Sequence, residues 1–185
     1  FPHVASQWND TDGDGYGDNQ TGLSPDACPS SGGNSTLDRL GCTDSDGDGY
    51  SNSDAVFLAH PNGEADAFPN DVTQWEDNDS DGFGDNPQGT TADDCPEIAG
   101  NSSIGRYGCS DSDGDGVPEA YNFSWTIAMG ADAFPNESSQ WIDLDSDGFG
   151  DNPNGSQADT CPSSPGDSTG GGKYGCIDSD RDGWA

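Results

Sequence analysis

The sequence is poor in apolar side chains and almost without positive charge. Leu, Ile, Val and Phe together number 21 of the 185 residues. That is about 11%, below the roughly 20% under which a highly charged chain is expected to be disordered. Four Lys and Arg residues face 36 Asp and Glu residues, which gives a formal net charge of −32. Hydrophobic burial alone therefore cannot order this chain: it is either a solvated acidic coil, or another interaction supplies the folding free energy.

The same shortages exclude several partners. So acidic a chain is not expected to bind nucleic acid and is repelled by anionic membranes, so that cations are its natural partners. No apolar run approaches the roughly 18 residues of a transmembrane helix, and membrane insertion is not expected. The chain carries no signal peptide and does not begin with Met, which predicts a mature or excised piece of a longer protein.

What the sequence has in abundance is internal repetition. The segment FPHVASQW at 1–8 returns as FPNDVTQW and FPNESSQW, at offsets of 67 and 66 residues. After each Trp come an acidic string, a CP pair, a Ser/Gly/Thr-rich stretch, a GC pair and a second acidic string. This order predicts three repeat units, 1–67, 68–133 and 134–185, the third ending after its second acidic string.

The first two units carry an additional apolar insertion, at 51–66 and 118–132. Pro118 suits a first helical turn, and Gly63 and Gly130 suit helix ends, so each insertion is predicted to form one short helix. The second insertion also has apolar residues at alternate positions, which is the period of a strand. Elsewhere Gly, Pro, Asn, Asp and Ser recur every few residues, so regular structure should be sparse.

Six acidic strings share the spacing D-x-D-x-D-G. In a calcium loop of this spacing, positions 1, 3 and 5 direct carboxylates at one centre, and Gly at position 6 permits a sharp turn. Without a cation, two carboxylates about 5 Å apart repel by roughly 1–3 kcal/mol. The alternative is an acidic solvated tail, but such a tail would not need Gly at a fixed position in each string, or Trp and Cys at fixed distances from it. The predicted carboxylate ligands are Asp10, Asp12, Asp14, Asp44, Asp46, Asp48, Asp77, Asp79, Asp81, Asp111, Asp113, Asp115, Asp143, Asp145, Asp147, Asp178, Asp180 and Asp182.

Further ligands are expected around each triad. The carbonyl at position 7 should face the ion, and the residues there are Tyr16, Tyr50, Phe83, Val117, Phe149 and Trp184. Position 9 holds Asp18, Asp85 and Asp151 in the first loop of each repeat, and Asn52 and Glu119 in two of the second loops. No loop has the Glu at position 12 that completes a helix-loop-helix calcium site. The missing acid must come from elsewhere in the unit, and the candidates are Asp26, Asp93 and Asp159, two residues before a Cys, and Asp66 and Asp132, two residues before an FP pair.

The pattern DTDGDGYGDN…DACP…GCTDSDGDG resembles thrombospondin type 3 repeats, over nearly the whole chain. The resemblance implies an extracellular, calcium-saturated string in which the ions act as the core. The expected fold is therefore irregular and low in secondary structure: an elongated tandem-repeat rod stabilised by calcium at six or more sites, with disulfides and short helices. The family's units are shorter, and they lack the repeated FP…QW segment and the apolar insertions.

Six cysteines, two per unit and 14 or 15 residues apart, indicate disulfides. Fifteen pairings are possible, and the repeat selects Cys28–Cys42, Cys95–Cys109 and Cys161–Cys176. Each bridge would contribute roughly 3 kcal/mol on the chain-entropy model. A thiolate metal site is the alternative, but no His accompanies the cysteines and no CxxC occurs. Disulfides indicate a compartment outside the reducing cytosol.

Sequons are in excess. Eight of the 13 Asn residues stand in N-x-S/T, whereas the Ser and Thr content would give about two by chance, so a glycoprotein is expected. A Ser- and Asn-rich linker composition is the alternative. Candidate acceptors are Asn19, Asn34, Asn101, Asn122, Asn136 and Asn154, with Asn9 and Asn78, which lie at metal loops, expected to be bare.

Two smaller sets also recur. Three of the four cations stand three residues before the second Cys of a unit, and they are expected to pair with loop carboxylates; they are Arg39, Arg106 and Lys173. The repeated Trp and Phe residues are expected to form small apolar clusters that seat each loop; they are Trp8, Trp75 and Trp141 with Phe1, Phe68 and Phe134.

No nucleophile–base pair is visible, and six equivalent carboxylate triads are not the acid and base of a glycosidase, so an enzyme is not expected. The favoured interpretation is a secreted or cell-surface structural protein: a subunit or segment of a glycosylated filament, stalk or matrix, polymerised head-to-tail or continued in a longer repeat chain. The alternatives are an adhesive module that binds polysaccharide through calcium and a dockerin-like interaction domain.

Overall fold

Regular secondary structure is sparse, as predicted. The computed structural model describes Phe1 and residues 3–185. In this part of the chain the strands β1 (Ser103–Ile104) and β2 (Arg106–Tyr107) form one antiparallel pair, with Ser103 opposite Tyr107. A single 3-10 turn, η1, covers Ile127–Met129. None of the helical structure described is long or apolar enough to cross a membrane. Turns and side-chain hydrogen bonds therefore carry most of the fold.

The chain divides into two compact units, Phe1–Glu97 and Ile98–Ala185. The division falls inside the second predicted repeat, 68–133. It groups residues by packing, whereas the three repeats are defined by sequence, so the repeat boundaries stay predictions.

The helix predicted for the first insertion is wrong. Residues 51–66 turn back on themselves: the Ala65 N–H donates to the Leu58 carbonyl at 3.1 Å, and the His60 N–H donates to the Ala65 carbonyl at 2.9 Å. The Asp54 carboxylate accepts the N–H groups of Val56 and Phe57, at 2.8 and 2.9 Å. A side chain that bonds the local backbone in this way competes with a helix, and here it favours a turn.

The helix predicted for the second insertion is also wrong. Tyr121 and Trp125 form one isolated antiparallel bridge, and only the three residues of η1 that follow are helical. Asn122 lies in the left-handed region, at φ 49°, and interrupts both a helix and a continuous strand. Gly130, where an end was predicted, does close the turn: it lies at φ 106° and its N–H bonds the Ile127 carbonyl.

The buried residues are mainly polar, which inverts the usual composition of a protein interior. Among the described residues, buried aspartates outnumber buried apolar side chains. The buried apolar residues are Cys42, Ala65, Cys109, Val117, Ala131 and Cys176. The buried aspartates are Asp26, Asp44, Asp66, Asp77, Asp93, Asp111, Asp132, Asp159 and Asp178.

A buried glutamine anchors the start of each repeat. The Gln74 side chain, 1% exposed, accepts the Asn86 N–H at 2.9 Å and donates to the carbonyls of Asn86 and Thr90 at 3.1 Å. A Cβ at Gly84 would lie 2.3 Å from the same side chain, so only glycine fits there. Gln7 and Gln140 make the equivalent bonds. Sequence reasoning missed this role, although the Gln recurs before every repeated Trp.

The predicted disulfides are present. Cys28–Cys42 and Cys161–Cys176 form, with Cα–Cα distances of 5.1 and 5.2 Å, and Cys95 and Cys109 are also disulfide-bonded. In the first bridge a buried serine orders the turn before the second cysteine, because the Ser35 hydroxyl accepts the Cys42 N–H at 3.0 Å. All six cysteines are oxidised, which is consistent with an oxidising compartment.

Candidate metal centres

Each D-x-D-x-D-G loop is wound around its first aspartate. In the second loop, Asp44 accepts the N–H of Gly47 at 2.7 Å and that of Gly49 at 3.0 Å. The equivalent two bonds form in the other five loops, at 2.6–3.2 Å. The position-6 glycines all lie at φ between 92° and 104°, a conformation that side chains disfavour. The sharp turn expected from the sequence is therefore present in every loop.

Position 4 of each loop is also left-handed, which sequence reasoning missed. Three loops have Gly there, but Ser80, Ser146 and Arg181 adopt φ of 66°, 63° and 60°. Non-glycine residues reach this region at an energetic cost, and the bond to the position-1 carboxylate holds them in it. The glycines Gly13, Gly47 and Gly114 were the available signal.

The loops bring their carboxylates together. In each loop the position-5 Oδ1 accepts the N–H of position 7, at 2.8–2.9 Å. Carboxylate oxygens of the triad lie within 4.8 Å of one another in at least five loops, those that begin at Asp10, Asp44, Asp77, Asp111 and Asp143. Some of the remaining oxygens are left without donors: the Oδ2 atoms of Asp46 and Asp48 are buried and receive no hydrogen bond from the described chain.

The distant aspartates before the first cysteines are placed beside the loops. Asp26, Asp93 and Asp159 are at most 6% exposed. Their Oδ1 atoms accept the N–H of the Cys two residues later, at 2.6–2.7 Å. Their Oδ2 atoms are buried, and no donor among the described residues reaches them. A Cβ at Gly41 would lie 2.6 Å from Asp26 Oδ1 and 2.8 Å from Asp14 Oδ2, so the distant carboxylate adjoins the first triad.

The aspartates before the second and third FP pairs are placed in the same way. Asp66 is 1% exposed and Asp132 is 3% exposed. Each accepts the N–H of the Phe two residues later at 2.7 Å. The Asp66 Oδ2 is buried with no donor in the described part of the chain. The five distant residues picked out by sequence are thus all buried, each beside a different loop.

Burial of these carboxylates shifts their ionisation. Desolvation raises the pKa of Asp66 and of Asp93 to about 7, against a backbone hydrogen bond that lowers it, and the loop aspartates add repulsion. The same causes raise the pKa of Asp48 and of Asp132 to about 6. Ionised carboxylates in such surroundings need a compensating cation.

The side chain at position 9 closes the loop by accepting a backbone N–H, and in two loops its second oxygen is left without a donor. The Asp85 Oδ2 accepts the Asn78 N–H, and the Asp151 Oδ2 accepts the Leu144 N–H, both at 3.0 Å. Their Oδ1 atoms are buried without a donor in the described residues. Asn52 and Glu119 make the same closing bond in second loops. The role of the position-7 carbonyls as ligands stays a prediction.

Arg39 does not pair with a triad carboxylate as expected. Arg39 instead forms an ion pair with Asp54, at 2.5 Å. Asp54 lies outside the D-x-D-x-D motif, and the guanidinium holds the pKa of this carboxylate below its usual value. Its guanidinium carbon lies 4.1 Å from the centre of the Phe57 ring. Arg106 lies 5.4 Å from the Trp125 ring centre. Both arginines thus contact aromatic residues of the insertions, a cation–π arrangement.

The sequons differ in accessibility. Asn9, Asn34, Asn78, Asn101, Asn122, Asn136 and Asn154 are exposed. Asn19 is half-buried, and its amide donates to the Ser6 carbonyl at 2.8 Å. Asn86 and Asn152, which are not in sequons, make the equivalent bond to Thr73 and Ser139. The Asn19 amide therefore has a structural role shared by all three repeats.

No protein-family model matches this chain, and no curated protein matches it either. The donor set consists of several carboxylate oxygens per loop, of the hard type that Ca²⁺ prefers.

Proposed function

We propose that this protein is an extracellular calcium-binding structural repeat protein in which bound ions replace a hydrophobic core. Each loop would hold Ca²⁺ through its triad, and in five loops the distant aspartate would complete the ligand set. Folding and metal binding would then be one process, since the ligands come from residues far apart in sequence. In this respect the protein would resemble thrombospondin type 3 repeats.

The observation that carries this proposal is the set of buried carboxylate oxygens without donors. Asp26, Asp66, Asp93 and Asp159 each bury an Oδ2 that no described residue bonds, and each lies beside a triad of further carboxylates. Burying an unpaired polar atom disfavours folding by about 1–3 kcal/mol, and more for a charge. A divalent cation at the centre of each cluster would turn this penalty into coordination.

Calcium is favoured over magnesium by the number and kind of ligands. The first loops of the second and third repeats offer carboxylates from positions 1, 3, 5 and 9 and from the distant aspartate, whereas in the first repeat both oxygens of the position-9 Asp18 accept hydrogen bonds from Asn9 and Thr11. Ca²⁺ takes six to eight oxygens in flexible geometry, whereas Mg²⁺ demands near-octahedral geometry and keeps several waters.

Chelation tests the proposal. Removing calcium should expand the chain, lower its sedimentation coefficient and abolish its near-ultraviolet circular dichroism. Millimolar Ca²⁺ should restore both signals, and the same concentration of Mg²⁺ should restore them only in part. A chain that keeps its compact shape and its spectrum after complete calcium removal would refute the role of ions as the core.

Within this class we favour an elongated, non-catalytic segment of a surface filament, stalk or matrix. Oxidised cysteines and the lack of a membrane-spanning helix among the described residues agree with a secreted or cell-surface location. Head-to-tail polymerisation would let the same repeat continue from copy to copy.

We further propose that exposed sequons carry N-linked glycans, with Asn34, Asn101, Asn136 and Asn154 as the first candidates because their side chains are exposed. Asn19 should be bare because its amide is engaged. Intact mass of protein from its native source, before and after enzymatic deglycosylation, tests this. An intact mass that enzymatic deglycosylation leaves unchanged would contradict it.

A further inference from the structure

In the first repeat, the second acidic loop contacts the Trp that opens the next repeat. Tyr50, at position 7 of a second loop, stacks on Trp75 with ring centroids 5.4 Å apart and an interplanar angle of 8°. The equivalent residues Val117 and Trp141 line one cavity of about 820 Å³. Tyr50, Trp75 and Trp141 are half-buried, and Val117 is buried.

Two residues of the same kind are exposed. Trp8 occupies the repeat position of Trp75 and Trp141, and its side chain is 73% exposed. Trp184 occupies the position of Tyr50 and Val117, and it is 64% exposed. Both halves of the internal contact are therefore presented on this chain as exposed aromatic side chains.

Trp184 is held in place, although it is exposed. Its backbone N–H donates to Asp182 Oδ1 at 2.9 Å, which ties it to the loop. A Cβ at Gly171 would lie 2.6 Å from the Trp184 ring, so the indole lies directly on the Gly171 backbone. Its orientation depends on the order of the loop, and an ordered aromatic surface binds at a lower entropic cost than a mobile one.

We propose that Trp184 of one copy packs on Trp8 of a second copy and repeats the Tyr50–Trp75 contact between molecules. The inference rests on the proposed function, because calcium would order the loop that carries Trp184 and reduce the repulsion between two chains of formal charge −32. The two surfaces differ, so the contact is heterologous. It therefore extends into a filament unless its rotation closes a ring.

Sedimentation velocity at millimolar calcium tests the contact in wild-type protein and single variants. The wild-type chain should assemble with rising concentration. Trp8→Ala and Trp184→Ala should each raise the concentration needed for assembly by roughly tenfold or more, because each removes one stacking partner. Trp184→Tyr should assemble like wild type, since Tyr is the natural residue at the equivalent position 50. Phe123→Ala is the matched control, because it removes an aromatic side chain that is 99% exposed.

Mixing the variants gives the sharpest outcome. Trp8→Ala keeps its Trp184, and Trp184→Ala keeps its Trp8, so an equimolar mixture should form dimers that cannot extend. The inference is overturned by a mixture that stays monomeric, by either variant assembling like wild type, or by equal loss of assembly in Phe123→Ala.

Calcium titration of every variant separates this inference from the proposed function. Binding of calcium with unchanged stoichiometry by a wild-type chain that stays monomeric would overturn the contact and leave the metal centres intact. Absence of calcium binding would overturn the proposed function itself.

Discussion

At the scale of single residues, the aspartates divide into two structural roles. Position-1 residues such as Asp44 use both oxygens on loop N–H groups, whereas Asp66 uses one oxygen on the backbone and buries the other without a donor. The first role orders the loop around the proposed ion, and the second leaves one oxygen whose only partner would be the cation. Substitutions at the two kinds of position should therefore have different effects.

Asp66→Asn should weaken one calcium site. The amide can keep the hydrogen bond to the Phe68 N–H, but it removes the charge and replaces a carboxylate ligand. We expect the dissociation constant of one ion to rise about tenfold or more, equivalent to about 1.4 kcal/mol, in calorimetric titration. Glu64→Gln is the matched control, an exposed carboxylate two residues away. Equal affinity in both variants would exclude Asp66 as a ligand.

The buried carboxylates also predict an unusual pH dependence. Burial raises the pKa of Asp66 and Asp93 to about 7, above the ordinary value of 3.8 that applies in the unfolded chain. Their contribution to stability is therefore fully present below about pH 4 and is lost as pH rises towards 7. Chain stripped of metal on a chelating resin should therefore be less expanded at pH 5 than at pH 8, as measured by sedimentation velocity.

Calcium should reverse this trend, because the ligands must lose their protons before they bind metal. At fixed calcium concentration, the urea midpoint should fall as pH drops from 8 to 5. A metal-free chain that becomes more compact between pH 5 and pH 8 would contradict the burial of these groups as acids.

At the scale of local elements, a glutamine side chain replaces the backbone ladder that a helix or sheet would supply. Gln74 bonds residues 12 and 16 positions later in the chain and so closes the segment that contains the first loop of its repeat. Buried amide side chains of this kind contribute most to stability when every polar atom has a hydrogen-bond partner.

Gln74→Ala should therefore destabilise the calcium-loaded protein by about 2–4 kcal/mol, since it leaves the Asn86 N–H and two carbonyls unpaired. Urea unfolding followed by tryptophan fluorescence measures this loss. Gln88→Ala, at an exposed position in the same segment, should change stability by less than about 0.5 kcal/mol. Similar losses in both variants would show that the Gln74 bonds are not specific supports.

At the scale of the whole molecule, the sources of stability are disulfides, polar anchors and, on our proposal, ions. Calcium binding and simple screening of the carboxylate charges should have different effects on the metal-free chain. Sodium chloride at about 1 M shortens the Debye length to about 3 Å and so weakens repulsion between carboxylates, but it supplies no multidentate ligand centre. Circular dichroism of stripped protein should recover with millimolar Ca²⁺ and should not recover in NaCl of the same or higher ionic strength. Full recovery in NaCl would indicate that charge screening suffices.

The sequence by itself determined the loops, their register and the disulfides. Each loop is a local structure, in which bonds between residues two to five positions apart follow from the D-x-D-x-D-G order, and the cysteines pair within their repeats. The distant ligand candidates could also be predicted from the sequence, because an aspartate two residues before Cys or FP recurs once for each of these loops.

Only the tertiary structure decided what the insertions and the repeated polar residues do. The insertions at 51–66 and 118–132 are turns because Asp54 and Asn122 hold local backbone conformations that no hydrophobic period reveals. The anchoring role of Gln74 and the contacts of Arg39 with Asp54 and Phe57 join residues that are 12 to 18 positions apart. Spacing in the sequence shows that such residues recur, but their partners are set by which surfaces meet once the chain has folded.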